Sequence, residues 1–285
     1  MTKAIWFLEN LAVGGTFSGG NWTLPLGNML DTKLRARPAR CASLALADSQ
    51  FVLDMGAAKW VRGVIIAAHT LSIDAKYRLT FSDTEDFAAP NLVTEWTDVF
   101  PTIYTPDQLR WEDENFWLGK AKVKDIDRYT RNCIWLDSGL GVTGRYLKVE
   151  IDDANNSNGY FDIGYLYVGA GFQPKQNFSW GRGLKFLPRT VRDETPSGTE
   201  VFERRQSRRG TEIAFEVLSK SEAMQLFDHI TDRDIAEPVF LIPNPDDAIN
   251  MTRESFLCRI TGDVVIEEYA LRLWRVRLTL HELIG

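Results

Sequence analysis

The sequence predicts a mainly β protein, with a β-sandwich in the first part of the chain and a second β-rich, α+β domain with one helix after it. Three observations predict this. Residues 145–168 read as two period-2 runs, split by the turn-forming stretch DDANNSNG at 152–159. Shorter alternating runs precede them, separated by turn residues at irregular spacing, as in sandwiches and jelly rolls. Only one stretch, opening at Ser219, carries a helical period.

The elements follow in order. Residues 1–40 contain Gly14-Gly15, Gly19-Gly20, Pro25 and Pro38 and little periodicity. They read as an extended N-terminal arm, laid over its own domain or over a neighbouring subunit, because Trp6, Phe7 and Trp22 need cover. Residues 41–170 read as the sandwich. Within it 51–54 is a short strand ending at Met55-Gly56, and 60–68 is apolar on both faces, which predicts one central strand. Tyr77, Leu79 and Phe81 alternate with polar neighbours, and 95–100 and 133–136 follow. Leu147, Val149 and Ile151, then Phe161, Ile163 and Tyr165, predict a closing hairpin.

Residues 171–285 read as the second domain. Ile213, Phe215 and Val217 mark a strand, and Ser219 with Glu222 forms a capping box. Ala223, Leu226, Phe227 and Ile230 then give a helix near 219–234 one buried face. Strands are predicted at 238–242, 255–261, 263–267 and 269–280. A phase slip between Leu273 and Trp274 predicts a β-bulge near Leu273.

Composition narrows the function classes. With 44% hydrophobic and 12% aromatic residues the chain can bury real cores. A net charge of −6 argues against a nucleic-acid binder. The longest wholly apolar run near the strand core, 64–68, is far short of a membrane span, and the first residues do not read as a signal peptide. Cys41, Cys133 and Cys258 are scattered and odd in number, and Cys258 reads as a buried thiol. Charge is uneven: 171–210 holds nine positive residues against four negative, a net +5, which leaves the remainder at −11 within the total of −6. Such asymmetry suggests a contact between unlike surfaces.

Few motifs carry chemistry. Gly139-x-Gly141-x-x-Gly144 is followed by a strand, where a dinucleotide site needs a helix, so it reads as a glycine-rich turn. The 152–159 stretch is rich in oxygen ligands, but an EF-hand register fails at Asn158 and Gly164. An Asx-rich turn is the reading, with a calcium loop as the alternative. His69, His229 and His281 lack metal-ligand spacing, and His69 reads as a satisfied structural histidine. No nucleophile elbow occurs. No catalytic residue, metal or cofactor is predicted, and the chain is not expected to be an enzyme. The stretch 104–118 places Trp111, Phe116 and Trp117 beside Arg110, Asp113 and Glu114. Aromatic faces with polar groups suit sugars, while the alternative is a long loop packed onto the sandwich. The run 203–210, ERRQSRRG, reads as a solvated face or an intersubunit salt-bridge patch.

Asp54-Met55-Gly56, the Val61-Arg62-Gly63-Val64 step and Arg145-Tyr146 resemble a discoidin-like (galactose-binding-like) sandwich, in which ligands often sit on loops at one end. The stretch DIGYLYVGAGFQPKQNFSWG, 162–181, resembles tail-tip or baseplate (distal tail) structural proteins of long-tailed bacteriophages. That resemblance implies a virion structural protein, made in the host bacterial cytoplasm, that assembles as a homo-oligomeric ring (hexamer or trimer) and contacts other tail proteins. Trp6, Phe7, Arg204, Arg205, Arg208 and Arg209 are the residues assigned to that assembly. The alternative is a carbohydrate-binding module that uses Arg110, Trp111 and Trp117 to hold a host surface glycan. Neither reading expects a nucleic-acid partner or a membrane span.

Overall fold

The computed structural model describes residues 3–137, 139, 141–233 and 236–284, residue 233 by its backbone alone. It is mainly β and builds three layers. In the outer sheet the strands run in the order Thr16–Ser18, Gln50–Val61, Val142–Asp152, Lys76–Ser82 and Leu92–Val93. The middle sheet has Gly63–Ala67 between Asn132–Leu136 and Tyr165–Gly169. Phe51, Leu53, Leu79, Phe81, Leu147 and Val149 of the outer sheet share one core with Val64, Ile66, Cys133, Leu166 and Val168 of the middle sheet. This is the predicted sandwich.

The third sheet orders Ile5–Phe7, Val239–Ile242, Phe256–Thr261, Leu273–Glu282, Arg208–Leu218 and Gly183–Leu187. One of its faces, with Ile5, Phe7, Phe240, Ile242 and Leu257, packs on Ile65, Ala67, Tyr165 and Tyr167 of the middle sheet. The other, with Trp6, Leu241, Phe256, Ile213, Phe215 and Val276, takes Ala223 and Leu226 of the helix Lys220–Arg233. The middle sheet is therefore covered twice. Its strands lose period-2 alternation because apolar side chains suit both faces.

Several expectations are corrected. The stretch 60–68 is not one strand. The chain leaves the outer sheet after Val61 and enters the middle sheet at Gly63. A Cβ at Gly63 would lie 2.4 Å from the Phe7 ring, so glycine admits the crossing. The pair 145–151 and 160–168 is not a hairpin. Val142–Asp152 pairs with the outer strands, Tyr165–Gly169 pairs with Gly63–Ala67, and residues 153–161 cross between layers. Alternation shows which face is buried but not which neighbour is bonded.

The 1–40 stretch includes the edge strand Ile5–Phe7, held between Val239–Ile242 and Phe172. The amide of Trp6 donates to the Phe172 carbonyl at 2.9 Å, and the Phe172 amide donates back at 2.6 Å. Trp6 is 1% exposed and Phe7 0%, so both belong to this chain's cores and neither is free to contact a second subunit.

The capping box forms as predicted. The Ser219 amide donates to the Glu222 carboxylate at 3.0 Å, and the Glu222 amide to the Ser219 hydroxyl at 3.3 Å. Phe227 is exposed, off the buried face. The predicted helix end at 234, residues 1, 2 and 285 at the outer domain limits, and Leu140 of the glycine motif lie outside the described residues. At the predicted phase slip near Leu273 the pairing of Ile266–Ala270 with Leu273–Glu282 shifts register between Glu268 and Ala270, opposite Trp274 and Leu273, next to the hairpin turn where Arg272 sits at φ 61°. All three cysteines are buried and free.

Candidate functional site

A cleft of about 580 Å³ opens at the end of the sandwich where the chain passes between its sheets. It is lined by Arg35, by residues 69, 70, 72 and 73, by Phe100, by residues 123, 126, 127 and 131, and by the Asn-rich turn 155–158. His69 follows the middle strand Gly63–Ala67 and is 1% exposed. Its Nδ1 accepts from the Leu71 amide at 3.3 Å, which places the ring proton on Nε2. That Nε2 has no partner among the described residues. The Phe100 ring lies beside it, with centroids 5.7 Å apart. Burial, then the charges of Arg131 and Arg35, hold the imidazole down to about 3, so it is neutral near pH 7. The histidine read as satisfied is satisfied on one nitrogen only.

The other polar groups divide into spent and free. Arg131 donates Nη1 to the Leu71 carbonyl at 2.8 Å and pairs with Asp127, so its charge is matched within the cleft wall. Arg35 is exposed and has no ion-pair partner among the described residues. Asp153 accepts from the Ser72 amide at 3.0 Å, from the Ser72 hydroxyl and from Asn156 Nδ2 at 2.7 Å. Its carboxylate therefore pins the turn to the neighbouring loop. Among the described residues no group of three or more His, Cys, Asp or Glu is placed to hold a metal. One free guanidinium, one ion pair, a neutral imidazole donor, amides and a phenyl ring make an arrangement that holds a polar ligand.

The predicted sugar-site residues stand elsewhere. Arg110, Trp111 and Trp117 are exposed on the loop 101–122, the tryptophans by 76% and 89%, and none of the three lines the cleft. The loop is closed by the Ile103 and Tyr104 amides on the Gly119 carbonyl, both at 2.9 Å. It is tied by Asp113 to Lys122 at 2.7 Å. Glu114 shares a shallower groove with Val123 and Asp127, which also line the cleft, so the two features have a common wall.

The arginine run is not one free surface. Arg209 is buried and pairs with Glu282, donates to the Thr252 and Arg253 carbonyls at 2.7 and 3.0 Å, and lies 4.8 Å from both the Tyr129 and Phe256 rings. Arg205 pairs with Glu203, while Arg182, Lys185 and Arg192 pair with Glu254, Glu212 and Glu200. Five of the nine positive residues are thus ion-paired within the chain. Reversing Arg209 to Glu would put two carboxylates in one buried site, so Arg209 belongs to the interior of this chain and not to the assembly surface assigned to it.

No family model matches the chain, and no curated protein matches it in sequence. Solved structures similar to part of it include the family 32 carbohydrate-binding module of NanJ from Clostridium perfringens, solved with galactose. It is 11% identical over 58% of this chain and 98% of that one, with a TM-score of 0.35. A second is a family 32 module from a family 31 glycoside hydrolase of Clostridium perfringens, at 10% identity over 57% and 98% and a TM-score of 0.33. A third is a family 29 fucosidase of Ruminococcus gnavus in complex with fucose. It is 13% identical over 57% of this chain but only 27% of that one, with a TM-score of 0.34. At such identities and scores the likeness carries no inference about ligand or activity.

Proposed function

We propose that this chain is a saccharide-binding module whose ligand enters the cleft over His69. The carrying observation is the His69 Nε2–H: a buried, neutral donor on a residue that lines the cleft, with no partner among the described residues. Leaving such a group unpaired costs about 1–3 kcal/mol, which a sugar hydroxyl that accepts its proton would recover. The Asn155 and Asn158 side chains and the apolar Ile73 and Val123 suit the mixed polar and apolar faces of a sugar ring. Trp111 and Trp117 are proposed to extend the contact along the shared wall. The test is calorimetric titration with a panel of oligosaccharides. A sugar bound by the native chain should bind roughly tenfold more weakly to His69→Phe, with an unchanged melt, and less weakly to Trp117→Ala. A native chain that binds no member of the panel would sink the reading.

A second reading, assembly into a phage tail tip or baseplate in contact with copies of itself and other tail proteins, draws on a different observation. The edge strand Gly183–Leu187 carries Leu184 and Phe186, the latter 72% exposed, and the hairpin Val191–Glu194 with Glu200–Glu203 exposes Val201 and Phe202. Exposed apolar groups on an open sheet edge invite pairing. Solution mass is expected to exceed that of the monomer and to fall in Phe186→Asp. A monomer at every concentration, alone and with tail proteins, would reject self-assembly.

A further inference from the structure

We propose that the cleft selects acidic saccharides over neutral ones, and that Arg35 makes the selection. This rests on the saccharide-binding reading and adds the ligand's charge.

The argument begins with what each charge in the cleft already does. Arg131 is matched by Asp127, the one carboxylate residue that lines the cleft. Asp153, beneath the turn, is engaged by Ser72 and Asn156. His69 is neutral. Among the described residues that line the cleft, Arg35 is the one charged side chain without an ion-pair partner, in a chain of net charge −6. In a concave site bounded by protein, field lines are focused and such a charge acts more strongly than on an open surface. Burial lowers the affinity of the imidazole for a proton first, and the charges of Arg131 and Arg35 lower it further.

The backbone supplies the second, independent observation. Leu34 and Ala68, the residues just before Arg35 and His69, are non-glycine residues at φ 47° and 56°. That left-handed conformation is strained for a residue with a Cβ and persists where packing over-determines it. Both residues are 1% exposed. They meet at Gly164, where a Cβ would lie 2.8 Å from the Ala68 Cβ and 3.3 Å from the Leu34 carbonyl carbon. One packed contact therefore fixes how the chain turns into both Arg35 and His69. Arg35 is offered from the turn Leu34–Ala36, and His69 from the end of the middle sheet. A sugar carboxylate at the Arg35 guanidinium would leave ring hydroxyls to His69 and the asparagine amides. The guanidinium fork suits a carboxylate in two places at once.

The test compares oligogalacturonate and oligoguluronate, each with its carboxyl-reduced neutral counterpart, on the native chain and on Arg35→Gln. At least one uronate should bind the native chain roughly tenfold more tightly than its neutral counterpart, and Arg35→Gln should remove that preference, bringing the two sugars to similar affinity. In the uronate complex the His69 imidazole, followed by NMR, should titrate at higher pH than in the free chain, and this shift should shrink in Arg35→Gln. Neutral sugars that bind as tightly as uronates, or a preference that survives Arg35→Gln, would overturn the proposal while leaving saccharide binding intact. Binding of no sugar of either kind would overturn both.

Discussion

Two basic regions of this molecule look alike in sequence and differ in what they can contact. The 171–210 stretch holds nine positive residues, yet five are ion-paired inside the chain, and Arg209 is enclosed with Glu282. The cleft holds two arginines and a histidine. One arginine is paired, the histidine is neutral, and one arginine is left over. Formal charge along a chain is thus a poor guide to free charge on its surface, because antiparallel pairing brings partners from distant sequence. A solitary arginine opposite a neutral wall offers more to a ligand than a run already neutralised by its neighbours.

The largest effect expected from this contrast is at Arg209. The side chains of Arg209 and Glu282 are 7% and 4% exposed. Arg209→Ala would leave a buried carboxylate unpaired and should cost roughly 3–5 kcal/mol of stability, measured by urea unfolding. Arg209→Met with Glu282→Leu should recover much of that loss. A small loss in the single variant would show that water reaches the pair.

A smaller effect belongs to His69. Its folded pKa lies below the unfolded value, so folded and unfolded states are alike above about pH 6.5. As pH falls below that value the unfolded chain takes up a proton that the folded chain refuses, and this loss of stability continues until about pH 3. Between pH 7 and pH 5 it amounts to up to about 2 kcal/mol. The urea midpoint should fall over that window in the native chain and stay flatter in His69→Asn. Equal pH dependence in both would place the sensitivity elsewhere. The smallest effect is expected at Arg205, exposed and paired with exposed Glu203: Arg205→Gln should leave the midpoint unchanged.

Much of the fold was legible in the sequence. Alternation at Leu147, Val149 and Ile151 marks a strand with one buried face, and all three are buried. Ser219 and Glu222 announce the helix because a capping box is local, with both partners within one turn. The candidate site was less legible. Trp111 and Trp117 attract notice as aromatics among polar residues, yet the cleft is built around His69, at the end of an apolar run, and Arg35, inside a stretch without periodicity. The one available hint was a histidine after a strand apolar on both faces, a place where a polar ring needs a partner.

The sequence by itself determined the mainly β class, the longer helix of the second region and its start, though not the short helix Ala248–Glu254, and the burial of the central strand, since these depend on near neighbours and on hydrophobic period. Only the tertiary structure decided that Ile5–Phe7 pairs with Val239–Ile242, that 145–168 divides between two sheets, and that Arg209 finds Glu282. Those choices depend on which distant surfaces exclude water together, and a period of two reads the same whichever partner lies alongside.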